Sequence, residues 1–492
     1  MASGLKLIRK FAGKEVEMED REKNPLEQIF NARSIAVFGA NEKLTTMGTY
    51  QLMNLLGIGF PGKVYPVHPK LASIQGLKAY GSVADLPEVP DLALITIKSE
   101  AVVKLFEELG RKGVKRAIVI SGGFKEMGEQ GRALEQELVK VAQRYGIRFV
   151  GPNCIGIIAP WAKINVTMYP YRMNPGAIGL ASHSGTYVTQ SLVYLEKFGI
   201  GYSKAVSLGN EASIDLVDAI DYYAADEQVK AIALYIEGIR RPAEFLAAAK
   251  RASAKKPVVA IYVGGTKAGA RSGASHTGAM AGRDEIYDGA FKQAGIIRAP
   301  DLQSLFEWAY TLAYQPRLKG NRIAVCTNAG GPATSLADAL ERAGFEVPEF
   351  SANLQAKIRE QLPPTGSSKN PVDMTYAPDL EIPFFKLPQL ILESGEVDGL
   401  IIHGIGGGSW YDQLSHNQQE AIKFPFEEMK KWIDAIFLKL AKLPQEIGKP
   451  IVTSSFVGRE DSAVASVQDL GMPCLPTPER TVLAMAQLRP SK

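Results

Sequence analysis

Cysteine and histidine are scarce in this chain, which has three cysteines and five histidines among 492 residues. Cys154, Cys326 and Cys474 lie far apart and form neither a CxxC pair nor a Cys/His cluster. Neither a disulfide framework nor a zinc site is therefore indicated, and we expect no metal ligands. This use of cysteine is typical of a reducing compartment and favours the cytoplasm.

A strong net charge and a long apolar run are also absent. The chain has 56 Lys and Arg residues against 52 Asp and Glu residues, a formal net charge of +4 at pH 7, which is too small to indicate wholesale nucleic-acid binding. The longest uncharged stretch, 173–195, is rich in polar residues and does not resemble a membrane span. Residues 1–24 lack the apolar centre of a signal peptide and are interpreted as a frayed leader. We expect a soluble protein that binds small molecules or other proteins, and neither nucleic acid nor membranes.

The composition, 46% hydrophobic and 22% charged residues, is sufficient for roughly three globular domains. In the first of them, short apolar runs alternate with segments of helical period. The apolar runs are Ser34–Phe38, Val64–Val67, Leu92–Ile97, Ala117–Ile120 and Phe149–Val150. This alternation predicts a Rossmann-like domain over 25–152, with parallel strands, crossover helices and ligands at the carboxyl ends of the strands.

The remainder of the chain contains an internal repeat. Residues 178–185 and 323–330 each predict a strand, a turn of small residues and the start of a helix, and three more pairs of similar segments follow in the same order. The first of these two helices is predicted to end near Lys197. Two flavodoxin-like domains, at 153–318 and 319–492, explain this order, the second with an insertion around 409–447. The predicted fold class is α/β, a Rossmann-like domain followed by two flavodoxin-like domains.

The two copies differ in a loop rich in Gly, Ala and Ser, at 264–282, which carries His276 in the first copy and has no histidine counterpart in the second. Because small residues make few side-chain contacts, such a loop can carry a side chain between two positions. A histidine there can act as a general base or as a nucleophile toward phosphorus, and Glu237 is the candidate carboxylate partner for its ring. The alternative is a surface histidine and a strand-end glutamate that faces water.

A predicted helix N-terminus in the first copy is suited to phosphate. Ser184, Gly185 and Thr186 follow a predicted strand and offer backbone N–H groups, hydroxyls and the helix dipole at one place. Ser and Thr at this position also serve as simple N-caps, so the pattern alone leaves both interpretations open. The similar run 328–332 in the second copy has no accompanying nucleophile, and we interpret it as structural.

The first domain lacks the GxGxxG fingerprint of a dinucleotide dehydrogenase, because Gly39, Ala40 and Asn41 are followed only by Gly48. A basic residue, Lys70, stands after the second strand, where an NAD enzyme has an acidic one. This favours a ligand with an added phosphate, and both coenzyme A and NADP satisfy the requirement.

Six motifs, in the order in which they occur, resemble those of the nucleoside-diphosphate-forming acyl-CoA synthetases, the superfamily of the ADP-forming acetyl-CoA synthetases and of succinyl-CoA synthetase. The motifs are SIAVFGA (34–40), VYPVHPK (64–70), SGGFKE (121–126), GPNCIG (151–156), SHTGA (275–279) and TNAGGP (327–332). The resemblance covers about residues 25–488, and the SHTG and GPNC motifs are specific in combination.

The resemblance implies an acid–thiol ligase that interconverts acyl-CoA, phosphate and ADP with acid, CoA and ATP through an acyl phosphate and a phosphohistidine. His276 matches the phosphorylated histidine, and Glu237 matches the glutamate that braces it. The phosphate-binding positions of the family fall on Ser184, Gly185, Thr186 and Asn153. The CoA-binding positions fall on Gly39, Ala40, Asn41, Gly48, Lys70, Ser121 and Gly122.

The family also needs an ATP-grasp region to bind nucleotide and Mg²⁺, and this chain has none that is recognisable. The chain therefore resembles the α subunit, which binds CoA itself, uses Mg-ATP and ADP through a separate ATP-grasp β subunit, and forms a hetero-oligomer with that subunit. His68, Lys98 and His183 depart from the family pattern, which has Asn, Pro, and Gln or Arg at these positions. The first two departures affect the expected CoA contacts. The third places a histidine where it can touch the phosphate or the acyl group, and an unusual substrate is one interpretation of it.

Other functions fit parts of the pattern. A regulatory or scaffold module would bind CoA or acyl-CoA without turnover, and the presence of both His276 and Glu237 argues against it. An NADP-dependent oxidoreductase is disfavoured by the missing GxGxxG fingerprint and by the duplicated second half. A protein acetyltransferase of similar organisation would need an acetyltransferase domain, which is not recognisable here.

Overall fold

The computed structural model of the protein describes residues 24–269, 271, 282–375, 379–407, 418 and 426–490. These residues fall into two compact units. The first comprises 24–194 and 201–305, and the second comprises 195–200 and 306–490. The first unit contains two large sheets and the second contains one.

The first sheet alternates strands and helices as the sequence predicts, except between residues 67 and 92, where a two-stranded hairpin stands in place of a crossover helix. Its elements are α1 (Pro25–Phe30), β1 (Ser34–Phe38), α2 (Met47–Gly57), β2 (Lys63–Val67), the hairpin strands β3 (Ser73–Ile74) and β4 (Leu77–Lys78), β5 (Leu92–Ile95), α3 (Ser99–Lys112), β6 (Arg116–Val119), α4 (Glu129–Tyr145) and β7 (Arg148–Val150). The five strands outside the hairpin are parallel, in the order β2-β1-β5-β6-β7. The strand order reverses between β1 and β5, so a ligand crevice is expected at their carboxyl ends.

Burial on both faces of the first sheet explains its apolar strands. Every residue of β1 and of β5 is buried, as expected of a parallel sheet covered by helices on both sides. Helix α3 buries Val102, Leu105, Phe106 and Leu109, which form one stripe at helical spacing and pack against the sheet.

The second sheet belongs to the same unit. Its elements are β8 (Ile157–Ala159), β9 (Ile164–Asn165), β10 (Ile178–Ser182), α5 (Gly185–Thr189), α6 (Ser191–Glu196), β11 (Tyr202–Ser207), α7 (Leu216–Ala225), β12 (Ala231–Ile236), α8 (Pro242–Ser253), β13 (Val258–Tyr262), α9 (Asp284–Ala294) and β14 (Ile297–Arg298). The strand order is β14-β13-β12-β10-β11-β8-β9, and β8 and β9 join antiparallel at one edge. One hydrophobic core, which extends in sequence from Leu26 to Ile296, includes residues of both sheets.

Helix α1 precedes the first sheet in the chain but packs against α7, a helix of the second sheet. Phe30 stacks on Tyr222 with 5.4 Å between ring centroids, and Glu27 accepts a hydrogen bond of 3.0 Å from the Tyr222 hydroxyl. Asn24, the N-cap of α1, donates a hydrogen bond to the carbonyl oxygen of Asp218. The two sheets are thus joined by this helix as well as by their shared core.

The second unit repeats the strand arrangement of the second sheet. Its elements are α10 (Leu302–Tyr314, which begins in the first unit), β15 (Ile323–Thr327), α11 (Gly330–Arg342), α12 (Ala352–Arg359), β16 (Val372–Asp373), α13 (Leu387–Glu393), β17 (Gly399–His403), α14 (Phe426–Ile447), β18 (Ile451–Ser454), α15 (Ser462–Asp469), β19 (Cys474–Leu475) and α16 (Pro478–Ala486). The order β19-β18-β17-β15-β16 corresponds strand by strand to β14-β13-β12-β10-β11. This correspondence is the internal repeat that the sequence predicts.

Helix α14 occupies much of the predicted insertion at 409–447. It buries Ile436, Phe437, Leu440 and Leu443 in the core of the second unit, so this part of the insertion belongs to the packed fold. In the described part of the chain, no helix combines the length and the hydropathy that crossing a membrane requires.

Candidate active site

The predicted CoA-binding residues lie along one edge of the first sheet. Gly39, Ala40 and Asn41 follow β1, Lys70 follows β2, and Ser121 and Gly122 follow β6. Because these strands are parallel, their carboxyl ends meet at the same edge of the sheet. Gly48 lies in the first turn of α2, the helix that follows β1. The structure therefore places all seven residues at or next to the edge where a ligand is expected.

Close packing requires glycine at two of these positions. A Cβ atom on Gly39, whose φ is +101°, would lie 2.3 Å from Oγ1 of Thr96. A Cβ atom on Gly48 would lie 2.4 Å from the same Oγ1 and 2.8 Å from the carbonyl oxygen of Gly39. The start of α2 therefore lies directly against the end of β1, an arrangement that presents a helix N-terminus to a phosphate-bearing ligand.

Side-chain hydrogen bonds hold the loop between β2 and the hairpin. His68 accepts hydrogen bonds at Nδ1 from the backbone N–H groups of Lys70 and Leu71, at 3.1 and 3.2 Å. An asparagine side chain makes the same kind of local contact with the backbone two residues on. This departure from the family pattern therefore preserves the turn that carries Lys70.

A tight turn connects the CoA-binding edge to the predicted phosphate site. Asn153, in the GPNC motif, has a left-handed backbone with φ +57°. Its N–H donates a hydrogen bond of 2.9 Å to the carbonyl oxygen of Ser121, and a Cβ atom on Gly122 would lie 3.5 Å from its side-chain oxygen. The GPNC turn and the loop after β6 are thus in direct contact.

Asn153 also lines a cavity of about 250 Å³ together with the other three residues predicted to bind phosphate. The lining residues are Asn153, Cys154, Ile155, Met168, Tyr169, His183, Ser184, Gly185, Thr186, Thr189, Gln190 and Gly209. Ser184 is the N-cap of α5, and its hydroxyl makes no capping hydrogen bond. The hydroxyl and the first N–H groups of α5 are therefore available to an anion in the cavity.

Glu237 directly follows β12 and is half-buried, whereas every residue of β12 is buried. His276 and most of its loop lie outside the described residues. The loop leaves the sheet after β13, which pairs with β12 at Ile236 and Tyr262, so the chain toward His276 departs beside Glu237. The pairing of His276 with Glu237 stays a prediction.

Asn210 is the centre of a polar cluster that was not predicted from the sequence. Its side-chain amide donates hydrogen bonds to Glu126 and Glu135, at 2.6 and 2.8 Å. The backbone carbonyl oxygen of Asn210 accepts a hydrogen bond of 2.6 Å from Nζ of Lys125. Glu126 accepts a further hydrogen bond of 2.6 Å from the N–H of Gly123, so the cluster shapes the loop after β6.

The environment of this cluster shifts the pKa values of its two carboxyl groups in opposite directions. Burial raises the pKa of the Glu135 carboxyl above its ordinary value. Burial acts in the same direction on Glu126, but hydrogen bonds from Asn210 and from backbone N–H groups outweigh it and lower the pKa of Glu126. Burial lowers the pKa of Lys125. Glu126 is therefore the carboxylate that stays ionised, and Glu135 is the one that more readily takes a proton.

Only part of this cluster belongs to motifs that can be recognised in the sequence. Lys125 and Glu126 belong to the SGGFKE motif, and Asn210 to a segment of the internal repeat. The burial of Glu135 could not be predicted, because a glutamate in an amphipathic helix such as α4 is ordinarily solvated. In the described ranges, no three His, Cys, Asp or Glu side chains are placed to hold a metal ion together.

Comparison with protein families identifies two regions. Residues 33–160 match a CoA binding domain, and residues 175–312 match a succinyl-CoA ligase like flavodoxin domain.

Comparison with individual proteins extends the similarity to nearly the whole chain. The α subunit of acetate–CoA ligase [ADP-forming] I from Pyrococcus furiosus is 34% identical over 484 residues, which cover 94% of this chain and 97% of that subunit. The 4-hydroxybutyrate–CoA ligase [ADP-forming] of Nitrosopumilus maritimus is 36% identical over 392 residues, 79% of this chain and 56% of that protein. Among solved structures, acetyl-coenzyme A synthetase 1 of Korarchaeum cryptofilum, in complex with phosphate and ADP, is 33% identical with a TM-score of 0.80, over 94% of this chain and 96% of that one.

Proposed function

The chain belongs to the ADP-forming acyl-CoA synthetases and is of their α-subunit type, and from this membership we propose how its own residues take part in the reaction. The reaction interconverts acyl-CoA, phosphate and ADP with acid, CoA and ATP. Asn153 bonds to the loop that is proposed to hold CoA and also lines the cavity at the N-terminus of α5, so a thioester and a phosphate can meet at this residue.

In the direction of ATP synthesis, the first step forms an acyl phosphate. A phosphate oxygen attacks the thioester carbonyl, the carbon–sulfur bond breaks, and CoA leaves as its thiolate. Ser184, Gly185 and Thr186 hold the phosphoryl oxygens through hydroxyl and N–H donors, and Asn153 holds the reacting end of the acyl group. Preorganised donors of this kind stabilise the charge that develops on the oxygens.

The second step transfers the phosphoryl group to His276. An imidazole nitrogen attacks phosphorus, the phosphorus–oxygen bond to the acyl group breaks, and the acid leaves as its carboxylate. Glu237 accepts a hydrogen bond from the other ring nitrogen and stabilises the positive charge on the ring. The loop then carries the phosphohistidine to ADP, which is held by a partner chain.

An ATP-grasp β subunit is the partner that we propose. The chain spans nearly the whole Pyrococcus furiosus α subunit but only 56% of the Nitrosopumilus maritimus ligase, which supports a further region supplied by another chain. Mg-ATP and ADP are assigned to that chain. We assign the complex to the cytoplasm, where three buried free cysteines stay reduced.

The test is phosphorylation of the isolated chain in the direction of ATP synthesis, which needs no β subunit. The protein is incubated with radiolabelled phosphate and with acetyl-CoA or 4-hydroxybutyryl-CoA. We expect one phosphoryl group per chain, labile to acid and stable to base. His276→Ala should abolish the label, and His416→Ala, which also removes one histidine, should leave it unchanged. Binding of CoA is measured by calorimetry on the same samples.

Each outcome decides between the two functions. Label that depends on His276 supports the ligase, and the acyl-CoA that gives the fastest labelling identifies the acid. CoA binding without label, both with acyl-CoA and with Mg-ATP and an ATP-grasp subunit of the family, would overturn the proposal in favour of a CoA-binding regulatory module.

A further inference from the structure

His183 connects three elements at the edge of the phosphate cavity. It is buried, with 7% of its surface exposed, and it lines the cavity. Its Nδ1 accepts a hydrogen bond of 2.9 Å from the backbone N–H of Glu237, and its Nε2 lies 3.0 Å from Oε1 of Glu211. His183 thus ties the end of β10 to the end of β12 and to the loop after β11.

The hydrogen bond accepted at Nδ1 fixes the tautomer of the ring. A ring nitrogen that accepts a hydrogen bond carries no proton, so in the neutral ring the proton lies on Nε2, beside the Glu211 carboxylate. A second proton, on Nδ1, would point at the N–H of Glu237 and break that hydrogen bond. Nε2 makes no aligned hydrogen bond, so the Glu211 carboxylate 3.0 Å away attracts its proton by charge.

Glu211 occupies an unfavourable position for a glutamate. Its surface is 6% exposed, and its φ of +53° lies in the left-handed region, which side chains other than Asn and Asp rarely adopt. Its Oε1 also accepts a hydrogen bond of 2.9 Å from the N–H of Leu216, and the guanidinium of Arg240 donates to its carbonyl oxygen. A buried charge on a strained backbone lowers stability, and such strain is concentrated at functional sites.

We propose that His183 and Glu211 are positioning residues for phosphoryl transfer, in which Glu211 keeps the proton of His183 on Nε2 so that Nδ1 holds the backbone of Glu237 in place. The inference rests on the proposed role of Glu237 as the brace for His276. Neither His183 nor Glu211 touches the reacting atoms. Their effect is on the end of β12, from which the Glu237 side chain extends.

The same geometry makes the positioning sensitive to pH. The charged groups that act on His183 are Glu211, Glu237 and Lys125. Burial opposes a charged imidazolium, but the two carboxylates outweigh it, and the pKa of His183 is raised above its ordinary value of 6.5. Proton uptake then removes the acceptor for the Glu237 N–H. Phosphorylation should therefore weaken as the pH falls through a window that begins above 6.5.

Glutamine and leucine at position 183 separate positioning from packing. A glutamine amide offers an acceptor for the Glu237 N–H and a donor for Glu211, and it does not titrate. Leucine fills a similar volume and offers neither. Tyr223→Phe is the matched control, because it removes the buried hydrogen bond of 2.8 Å from Tyr223 to the carbonyl oxygen of Leu180, on the same strand β10, and touches no proposed site residue.

The experiment measures the rate of phosphorylation by acetyl-CoA and radiolabelled phosphate from pH 6 to pH 8, together with the Kd for CoA. We expect His183→Leu to lose about tenfold or more in rate, as is typical of groups that orient a reacting residue, with the Kd for CoA unchanged. His183→Gln and Tyr223→Phe should stay within about threefold of wild type. The ratio of the wild-type rate to the His183→Gln rate should fall at low pH. The pH dependence that arises from other titrating groups is common to both proteins and cancels in this ratio.

The outcomes distinguish this inference from the proposed function. A wild-type rate in His183→Leu, or an equal loss in His183→Gln and His183→Leu, would overturn the positioning role while the phosphohistidine route stands. Absence of label in wild type, both with acyl-CoA and with Mg-ATP and an ATP-grasp subunit of the family, overturns the proposed function and this role with it. The NMR chemical shifts of the imidazole nitrogens in a histidine-labelled sample, assigned by comparison with His183→Gln, report the protonation of His183 directly. A proton on Nδ1 of His183 at pH 8 would also overturn the positioning role.

Discussion

The side-chain amide of Asn210 donates a hydrogen bond of 2.8 Å to the carboxylate of Glu135, which lies 75 residues earlier in the chain. This bond joins the loop after β11, in the second sheet, to helix α4, in the first. The loop that is proposed to hold CoA and the cavity that is proposed to hold phosphate are therefore fixed relative to each other by a polar contact as well as by the shared core.

Asn210→Asp should destabilise the first unit strongly. The substitution removes both amide donors and places a third carboxylate beside Glu126 and Glu135, and a buried polar group without its partner costs about 1–3 kcal/mol, more when charged. Because burial already raises the pKa of Glu135, protonation relieves the repulsion, so the loss should be smaller at pH 5 than at pH 8. Urea unfolding at both pH values measures it.

Asn31→Asp serves as the control for the same chemical change, because Asn31 is exposed and donates only to the carbonyl oxygen of Glu27. It should shift the free energy of unfolding by no more than about 0.5 kcal/mol. Equal effects of the two substitutions would show that the Asn210 cluster contributes nothing specific.

Gly48→Ala should weaken CoA binding, while Gly57→Ala, in the same helix α2, should not. A Cβ atom on Gly48 would overlap the backbone of Gly39, whereas nothing lies within 4 Å of a Cβ atom on Gly57. We expect Gly48→Ala to lose tenfold or more in affinity for CoA and about 1–3 kcal/mol in stability through overpacking. Gly57→Ala should keep its affinity and gain up to about 1 kcal/mol. Calorimetric titration and thermal unfolding measure both, and unaltered CoA binding by Gly48→Ala would place the CoA site elsewhere.

Lys204 and Asp226 form a buried ion pair whose disruption should be costly. Their side chains are 3% and 2% exposed, Nζ lies 2.5 Å from Oδ2, and Gln228 accepts a second hydrogen bond from Lys204. Lys204→Met leaves Asp226 buried without its cation, for which a loss of about 3–5 kcal/mol is expected. Denaturant unfolding measures the loss.

The exposed pair of Arg251 and Asp221 provides the comparison, since its side chains are 59% and 40% exposed. Arg251→Met should cost no more than about 1 kcal/mol. If Lys204→Met proves as mild as Arg251→Met, water must reach the Lys204 site in solution.

The three cysteines should be unreactive in the native protein. All are buried, and burial raises the pKa of each thiol to about 12, so almost no thiolate is present at pH 8. We expect a thiol reagent to modify none of them before unfolding and all three in denaturant, as counted by intact mass. Rapid modification of any one thiol in native conditions would contradict this.

The strands could be predicted from the sequence because buried parallel strands are apolar throughout. Their order in each sheet was not predicted, because it depends on pairing between distant segments. Ser34–Phe38 was predicted to the residue, and the repeat was visible because both copies bury the same strand positions. One helix was not predicted correctly. A single helix from Gly185 to near Lys197 was expected, and the structure has α5 and α6 with a break at Gln190. The hydroxyls of Thr189 and Ser191 bond to backbone carbonyl oxygens one turn earlier, which is known to disturb helices.

The residues of the candidate site could be predicted where they belong to sequence motifs. Contacts between residues that are distant in the sequence could not. Asn153 and Ser184–Thr186 were found from their motifs, and the structure places them around one cavity. Glu211 gave no signal, because its left-handed backbone and its approach to His183 depend on the register of β10 and β11. A charged residue in a polar loop is ordinarily solvated, so only the folded chain shows this pair.

The packing of α1 against α7 determines how this protein can be recombined with its relatives. The matched CoA binding domain begins at residue 33, whereas Phe30 and Glu27 contact Tyr222. A chimera that exchanges residues 33–160 for those of a relative would keep its original α1 on its original α7, and the foreign sheet would have to pack against that original helix α1. Variation at α1 should therefore be inherited with variation on the surface of α7, and a functional exchange of CoA-binding modules has to include both helices or neither.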